Sequence, residues 1–352
     1  MVIGNAVLHP RANNITLVRL ILACCVIWSH CYWLMTGEAG HDEFSYLLGA
    51  PISGYAVDGF FFLSGFLSYS SLQRSPDPFA FIRKKLVRIW PALAVSIVVT
   101  IALGALLTNV RATDYIGGAT LRFGLANLTF LPGHYTLTGV ACGMAACGIN
   151  DSLWTISWQM GCFGALGVLA LLGLAREKMM KQYVLPLSLA FALAMHLPFA
   201  ATSVKKLLGI NALDFLSMID RHWTMFALGI ASYLWRGSIQ LRWSICALLL
   251  IFNLECQYWD VHFHVQSVFV GYAILCAGFL TAERKAFAAS LPNISFGIYL
   301  YAFPVMILIA HWGNFGHHLW LALANLVLTA PFAVLSYQFI EKRAPIWNRS
   351  GS

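Results

Sequence analysis

Charge is what this sequence has least of. Only 10% of its 352 residues are Asp, Glu, Lys or Arg, against roughly 25% in a soluble domain. Hydrophobic residues make up 59% and the mean hydropathy is +0.72, which excludes a soluble domain and points to an integral membrane protein. Acidic residues are scarcer than basic ones, 14 against 22, and the net charge is +8. The Lys and Arg residues gather in short loops between apolar runs, where they serve topology and lipid headgroups. Nucleic acid is therefore excluded as a partner, and membrane lipids are expected. The nine cysteines follow no CxxC or zinc spacing, so no metal is expected, and most of them are apolar packing residues. The first apolar run has no small-residue cleavage site after it, only "YWLMTGEAGHDE", and reads as a retained helix. No internal repeat is evident.

What is present is a series of apolar runs, each near the roughly 20 residues that a bilayer crossing needs. They lie near 15–35, 52–72, 89–109, 151–174, 183–201, 215–235, 243–259, 263–281, 294–312 and 319–340. Asp214, Asp220, Arg221 and His222 crowd the start of the sixth. The expected fold is all-α, a polytopic membrane bundle of about ten transmembrane helices, with residues 1–352 forming one domain. Basic loops at 73–88, 175–181, 236–242, 282–285 and 341–349 fall on one side of such a bundle, though Lys205 and Lys206 count against the pattern. The positive-inside tendency then makes both termini cytoplasmic and residues 110–150 an extracytoplasmic loop. Cys142 and Cys147 lie in that loop, in "CGMAAC". A tight turn there brings two Cα atoms within the roughly 4.4–6.8 Å of a disulfide, in a compartment where a disulfide persists.

The first run, "LVRLILACCVIWSH", carries two ionisable residues, Arg19 and His30. Eleven residues at about 100° each come to three turns plus about 20°, so the two share one helix face about 16 Å apart. Intramembrane ionisable residues are functional suspects. For Arg19 the competing reading is snorkelling to the headgroups, and for His30 it is a satisfied polar core residue. Two on one stripe favour a shared polar path. A histidine suits proton abstraction from a hydroxyl, and an arginine suits an anionic or phosphorylated group. The pair implies an anionic donor entering at the Arg19 end and a hydroxyl activated deeper in the membrane.

Six stretches in order resemble the acyltransferase-3 family of membrane acyltransferases, over about residues 14–345. "RLILACCVIWSH" matches its arginine–ten residues–histidine motif, and "YAVDGFFFLSGFLSYSSL" its second helix with Asp58, Ser64 and Gly65. "FIRKKLVRIWPAL" resembles its basic loop, "NDSLWTISWQ" its Asn-Gly-Ser-Leu-Trp-Thr-Leu stretch, and "ISFGIYLYAFPV" with "FIEKRAP" its closing helices. There are departures. Lys85 and Arg88 stand where the family often has Arg-x-x-Arg, Gln159 where a glutamate often closes the Trp-Thr-Leu stretch, and Tyr301-Ala302 where a histidine is common.

The resemblance implies an enzyme, an O-acyltransferase. It would move an acyl group, most often acetyl, from cytoplasmic acyl-coenzyme A to a hydroxyl of a surface polysaccharide or its lipid-linked precursor. Acetyl-CoA or another acyl-CoA is then a co-substrate, no cofactor is permanently bound, and the setting is a bacterial inner membrane. His30 is the expected general base and Asp58 the residue that orients it. Arg19, Lys85 and Arg88 are the expected donor-binding residues, although Lys85 and Arg88 also satisfy plain topology. Ser152, Trp154 and Gln159 are expected on the acceptor side. "HFH" at 262–264 and "HH" at 317–318 offer too few ligands for a metal. Ser64 in "LSGF" reads as a helix-packing small residue rather than a nucleophile. The rival class is a proton-coupled transporter or flippase using Asp58, Arg221 and His30 without acyl chemistry. It would call for inverted repeats, and none is evident.

Overall fold

A computed structural model describes residues 2–4, 12–140, 148–195, 206, 210–258, 262–284 and 291–343. Cys142 and Cys147, and with them the expected disulfide, lie outside the described residues. The protein is all-α, and the described residues hold no strand, only an isolated bridge between Thr108 and Val140. The main helices are α1 (Ile15–Thr36), α2 (Ile52–Arg74), α3 (Pro78–Gly104), α4 (Gly118–Leu128) and α5 (Trp154–Leu171). They are followed by α6 (Leu185–Met195), α7 (Ile210–Leu234), α8 (Trp243–Glu255), α9 (His262–Phe279), α10 (Ser295–Trp312) and α11 (His318–Ser336).

Among the described residues, six helical segments are long and apolar enough to cross a membrane: Ile15–Thr36, Pro78–Gly104, Asp151–Leu171, His262–Ala282, Ser295–Trp312 and His318–Glu341. They carry exposed apolar side chains such as Val98, Val168 and Val327, the surface that hydrocarbon would cover. The remaining expected spans are not among these six. Helices α2 and α7 run for 23 and 25 residues but carry polar residues such as Asp58, Ser68, Asp220 and Arg221. Helix α8 has 13 residues, less than one bilayer crossing, and α6 continues the helical turns Glu177–Met179 and Met180–Val184 as far as Met195, where that described stretch ends.

The chain divides into two compact units, each discontinuous in sequence. The first comprises residues 1–18, 57–82 and 161–289. Inside it α2 and α7 meet backbone to backbone. A Cβ added at Gly65 would sit 1.9 Å from the Phe226 carbonyl oxygen, and one added at Gly229 would sit 2.1 Å from that of Phe62. The "LSGF" stretch is thus a packing surface, since small residues let membrane helices approach. The same unit holds a buried polar cluster. The Asp58 carboxylate, 1% exposed, accepts from Arg221 Nε (3.2 Å), from Arg221 Nη2 (3.4 Å) and from Gln266 Nε2 (2.8 Å). The charges that crowd the start of the sixth run therefore have a structural reason: Arg221 offsets a carboxylate buried on the neighbouring helix.

The second unit comprises residues 19–56, 83–160 and 290–352. Its hairpin of α10 and α11 closes at Gly297, where a Cβ would lie 2.7 Å from Ala333 Cα. Residues after α3 fold onto themselves through side-chain bonds to backbone. Asn127 Nδ2 donates to the carbonyls of Phe123 and His134, and Thr138 Oγ1 donates to that of Gly117. Burial pushes the Tyr115 phenol up to about 12, so it stays protonated and donates to the Ile101 carbonyl at 2.6 Å. Asn150 Nδ2 donates to the Leu300 carbonyl at 3.0 Å, which fastens the turn before α5 to α10.

Candidate active site

The site is built around α1 in the second unit. Ser29 is buried one residue before His30, and its hydroxyl donates to the buried carboxylate of Asp42. Asp42 also accepts from the backbone N–H groups of Ser45 (3.1 Å) and Ile52 (2.9 Å), while Ser29 Oγ accepts from Ser53 N–H at 3.0 Å. These bonds satisfy the open N–H groups at the start of α2 and tie the 37–51 loop to α1 beside His30.

His30 is half-buried, its ring edge-on to Phe303 with centroids 5.1 Å apart. It borders two spaces. The smaller, of about 10 Å³, is lined on α1 by Ala23, Val26, Ile27 and His30, and elsewhere by residues that include Ser152, Tyr299 and Asn325. The larger, of about 500 Å³, is lined on α1 by Ser29, His30 and Trp33, and beyond it by residues that include His41, Tyr135, Asp151 and Trp154. On α1 the small space extends from His30 back to Ala23, and the large one from Ser29 on to Trp33. The imidazole therefore stands at the boundary between them.

Polar groups around this boundary are mutually positioned. Thr155 Oγ1 donates to the Ser152 carbonyl at 3.0 Å and lies 2.6 Å from Tyr299 Oη, a hydrogen bond in which either hydroxyl can be the donor. In the large cavity, burial pushes the Tyr135 phenol above its ordinary value, so it remains a neutral hydroxyl. Trp33, Tyr135 and Trp154 present aromatic surface beside one carboxylate, Asp151. Aromatic faces with a few convergent polar groups are the usual make-up of a small-molecule pocket.

Along α1 from His30, the charges of Arg88 and Glu341 act on Arg19, and those of Arg19 and Arg88 act on Lys85. Arg19 and Lys85 are half-buried and Arg88 is exposed. Three cations against one carboxylate leave a net positive cluster, and Ser336 Oγ steadies Glu341 by donating to it at 3.2 Å.

Of the residues expected from sequence, His30, Ser152 and Trp154 meet at the two spaces, and Arg19, Lys85 and Arg88 share the basic cluster. Gln159 is half-buried on α5 and borders neither space. Asp58 makes its hydrogen bonds in the first unit, to Arg221 and Gln266. Sequence reasoning missed Asp42, Asp151, Asn325 and Glu341 as parts of the site. Asp151 and Glu341 lie inside quoted motifs, "NDSLWTISWQ" and "FIEKRAP", at positions given no role. Asn325 and Thr329 had a readable signal, two polar residues four apart inside an apolar run, the spacing of neighbours on one helix face.

A family model described as an acyltransferase domain matches residues 13–338. The chain is 28% identical to "Nodulation protein 10" of Rhizobium leguminosarum bv. viciae, over 94% of this chain and 93% of that protein. It is 25% identical to an "O-acetyl transferase" of Shigella phage Sf6, over 95% of this chain and 96% of that protein. No solved structure matches.

Proposed function

The chain belongs to the acyltransferase-3 family and is a membrane acyltransferase, and from that premise we propose the two substrates and the path between them. The donor is acyl-CoA, with acetyl-CoA first in order, and the acceptor is a hydroxyl of a cell-surface polysaccharide or its lipid-linked precursor. The setting is a bacterial inner membrane with the Arg19 end toward the cytoplasm. The name of the phage relative, an O-acetyl transferase, supports acetyl and an oxygen acceptor.

One observation carries this reading: His30 borders both spaces, a water-sized one on the Ala23 side of α1, the side on which Arg19 lies, and a large cavity on the Trp33 side. Coenzyme A is a polyanion, and Arg19, Lys85 and Arg88 are suited to its phosphates, the two arginines by their bidentate fork. Its pantetheine arm would bring the thioester along α1 toward His30. A sugar suits the large cavity, where Trp33 and Trp154 offer faces to stack on and Asp151 accepts from hydroxyls. His30 then takes the proton of the attacking hydroxyl as its oxygen bonds to the thioester carbon. The tetrahedral intermediate collapses, the C–S bond breaks, and the thiolate recovers the proton from the imidazolium. The products are an ester and free coenzyme A. This path assigns Asp58 no step; its carboxylate accepts from Arg221 and Gln266, and its expected orienting role toward His30 stands beside the path as a separate proposal.

The test is transfer in membranes carrying the protein, supplied with labelled acetyl-CoA, followed by mass spectrometry of surface glycan with and without the protein. The expected result is a glycan mass increase of one acetyl group that needs His30, and none in membranes bearing His30→Ala at normal abundance. Undiminished acetylation by His30→Ala would remove His30 from the chemistry. A glycan whose mass never depends on the protein would remove the acceptor.

A further inference from the structure

Asn325 lies in the middle of α11 and is fully buried, 0% exposed. A primary amide in an apolar helix needs partners for both ends. Its Oδ1 has one, the Thr329 hydroxyl, which donates at 2.9 Å from one turn further on. Its Nδ2 has no partner within ordinary hydrogen-bond geometry. Beyond that geometry it reaches the Cys31 thiol on α1 as a weak hydrogen bond, sulfur being a poor acceptor. Leaving such a donor unmet typically costs about 1–3 kcal/mol. The residue also lines the small space beside His30.

We propose that Asn325 is a catalytic residue whose side-chain amide donates to the oxygen of the acyl carbonyl at His30 and stabilises the oxyanion that forms during transfer. The proposal rests on the role given above to His30. When the acceptor oxygen adds to the thioester carbon, the carbonyl π electrons move onto oxygen, and a fixed N–H donor in a water-poor site stabilises that charge most. The space has about the volume of one water molecule, about 10 Å³, which matches a single carbonyl oxygen. Thr329 holds the amide in orientation by donating to its oxygen, which leaves the N–H end without an oxygen or nitrogen acceptor. Among the other polar residues there, Tyr299 shares a hydrogen bond with Thr155. Asn325 is therefore the preorganised donor, and Thr329 is a positioning residue.

The experiment uses the full-length protein in membranes, with acetyl-CoA as donor and initial rates over a range of its concentration. Removing one oxyanion donor typically costs about 10²–10³-fold in kcat. Asn325→Ala should show a loss of that order with the KM for acetyl-CoA within about threefold, because ground-state binding is carried by the basic cluster. Thr329→Val should show a smaller loss in kcat, of about tenfold, again without a KM change, and Thr329→Ser should restore the rate. Abundance and the thermal midpoint of each variant are read alongside, so that a folding defect appears as lost protein rather than lost kcat. If Asn325→Ala folds and keeps its kcat while His30→Ala is inactive, Asn325 is a structural polar residue and the proposal is overturned. A loss confined to KM would overturn it as well. If His30→Ala is itself active, the reading of His30 has failed, and the Asn325 result then stands apart from it.

Discussion

The Ser29 hydroxyl is bonded to the Asp42 carboxylate, and both side chains are buried. Ser29 precedes His30 and Asp42 follows His41, so this bond sets two residues that line the large cavity. Asp42 accepts from Ser29, Ser45 and Ile52 together. Asp42→Ala should strand these donors at about 1–3 kcal/mol for a buried unmet group. The expected outcome is a lower thermal midpoint together with a marked fall in transfer. Asp42→Asn, which keeps an acceptor oxygen, should lose less of both. Equal behaviour of the two variants in thermal unfolding and in transfer rate would remove the hydrogen-bond account.

Arg19 and Arg88 interact electrostatically with each other and with Glu341. Replacing either arginine by lysine keeps the charge and loses the planar fork. The KM for acyl-CoA should rise by about tenfold or more per variant, since charged hydrogen bonds are worth about 1.5–3 kcal/mol, while membrane orientation is retained. Glu341→Gln should shift donor KM less. Donor titrations on oriented vesicles decide it. Unchanged KM in both lysine variants would reduce these residues to topology.

Arg221 offsets the charge of Asp58, which is buried at 1% exposure while the Arg221 side chain is 41% exposed. Arg221→Ala leaves a buried carboxylate without its cation. Breaking a fully buried pair costs about 3–5 kcal/mol, and the exposure of Arg221 should hold the loss to about 3 kcal/mol or less. Asp58→Asn combined with Arg221→Gln should recover part of that loss, because no charge then remains buried. Thermal unfolding of the single and double variants gives the coupling. Transfer by the folded double variant should persist, and its disappearance would return Asp58 to the chemistry.

Gly65 leaves no room for a side chain, since an added Cβ would come 1.9 Å from the Phe226 carbonyl oxygen. Gly65→Ala should therefore push α2 from α7, and overpacking of this kind costs about 1–3 kcal/mol or more. The expected outcome is reduced abundance and a lower thermal midpoint. A neighbouring substitution, Ser64→Ala, should change both far less and leave transfer intact, which would also exclude Ser64 as a nucleophile. A Gly65→Ala protein as stable as the parent would contradict the packing.

Some of this was legible in the order of residues alone. The dearth of charge and the long apolar runs dictate a membrane helix bundle, because backbone groups in hydrocarbon must be satisfied within each helix. The Arg19–His30 spacing places both side chains on one stripe of α1, because helical periodicity is local. Contacts between residues distant in the chain were beyond such reasoning. Nothing in "FFFLSGF" announces that Gly65 meets Phe226, and nothing near Asp58 names Arg221, 163 positions away. Asn325 stands almost 300 positions from His30, and only the packing of α1 with α10 and α11 puts both against one small space. Periodicity sets which face of a helix a residue occupies. Which other face it meets depends on shape and on where buried polar groups find partners, and these are decided by the whole chain at once.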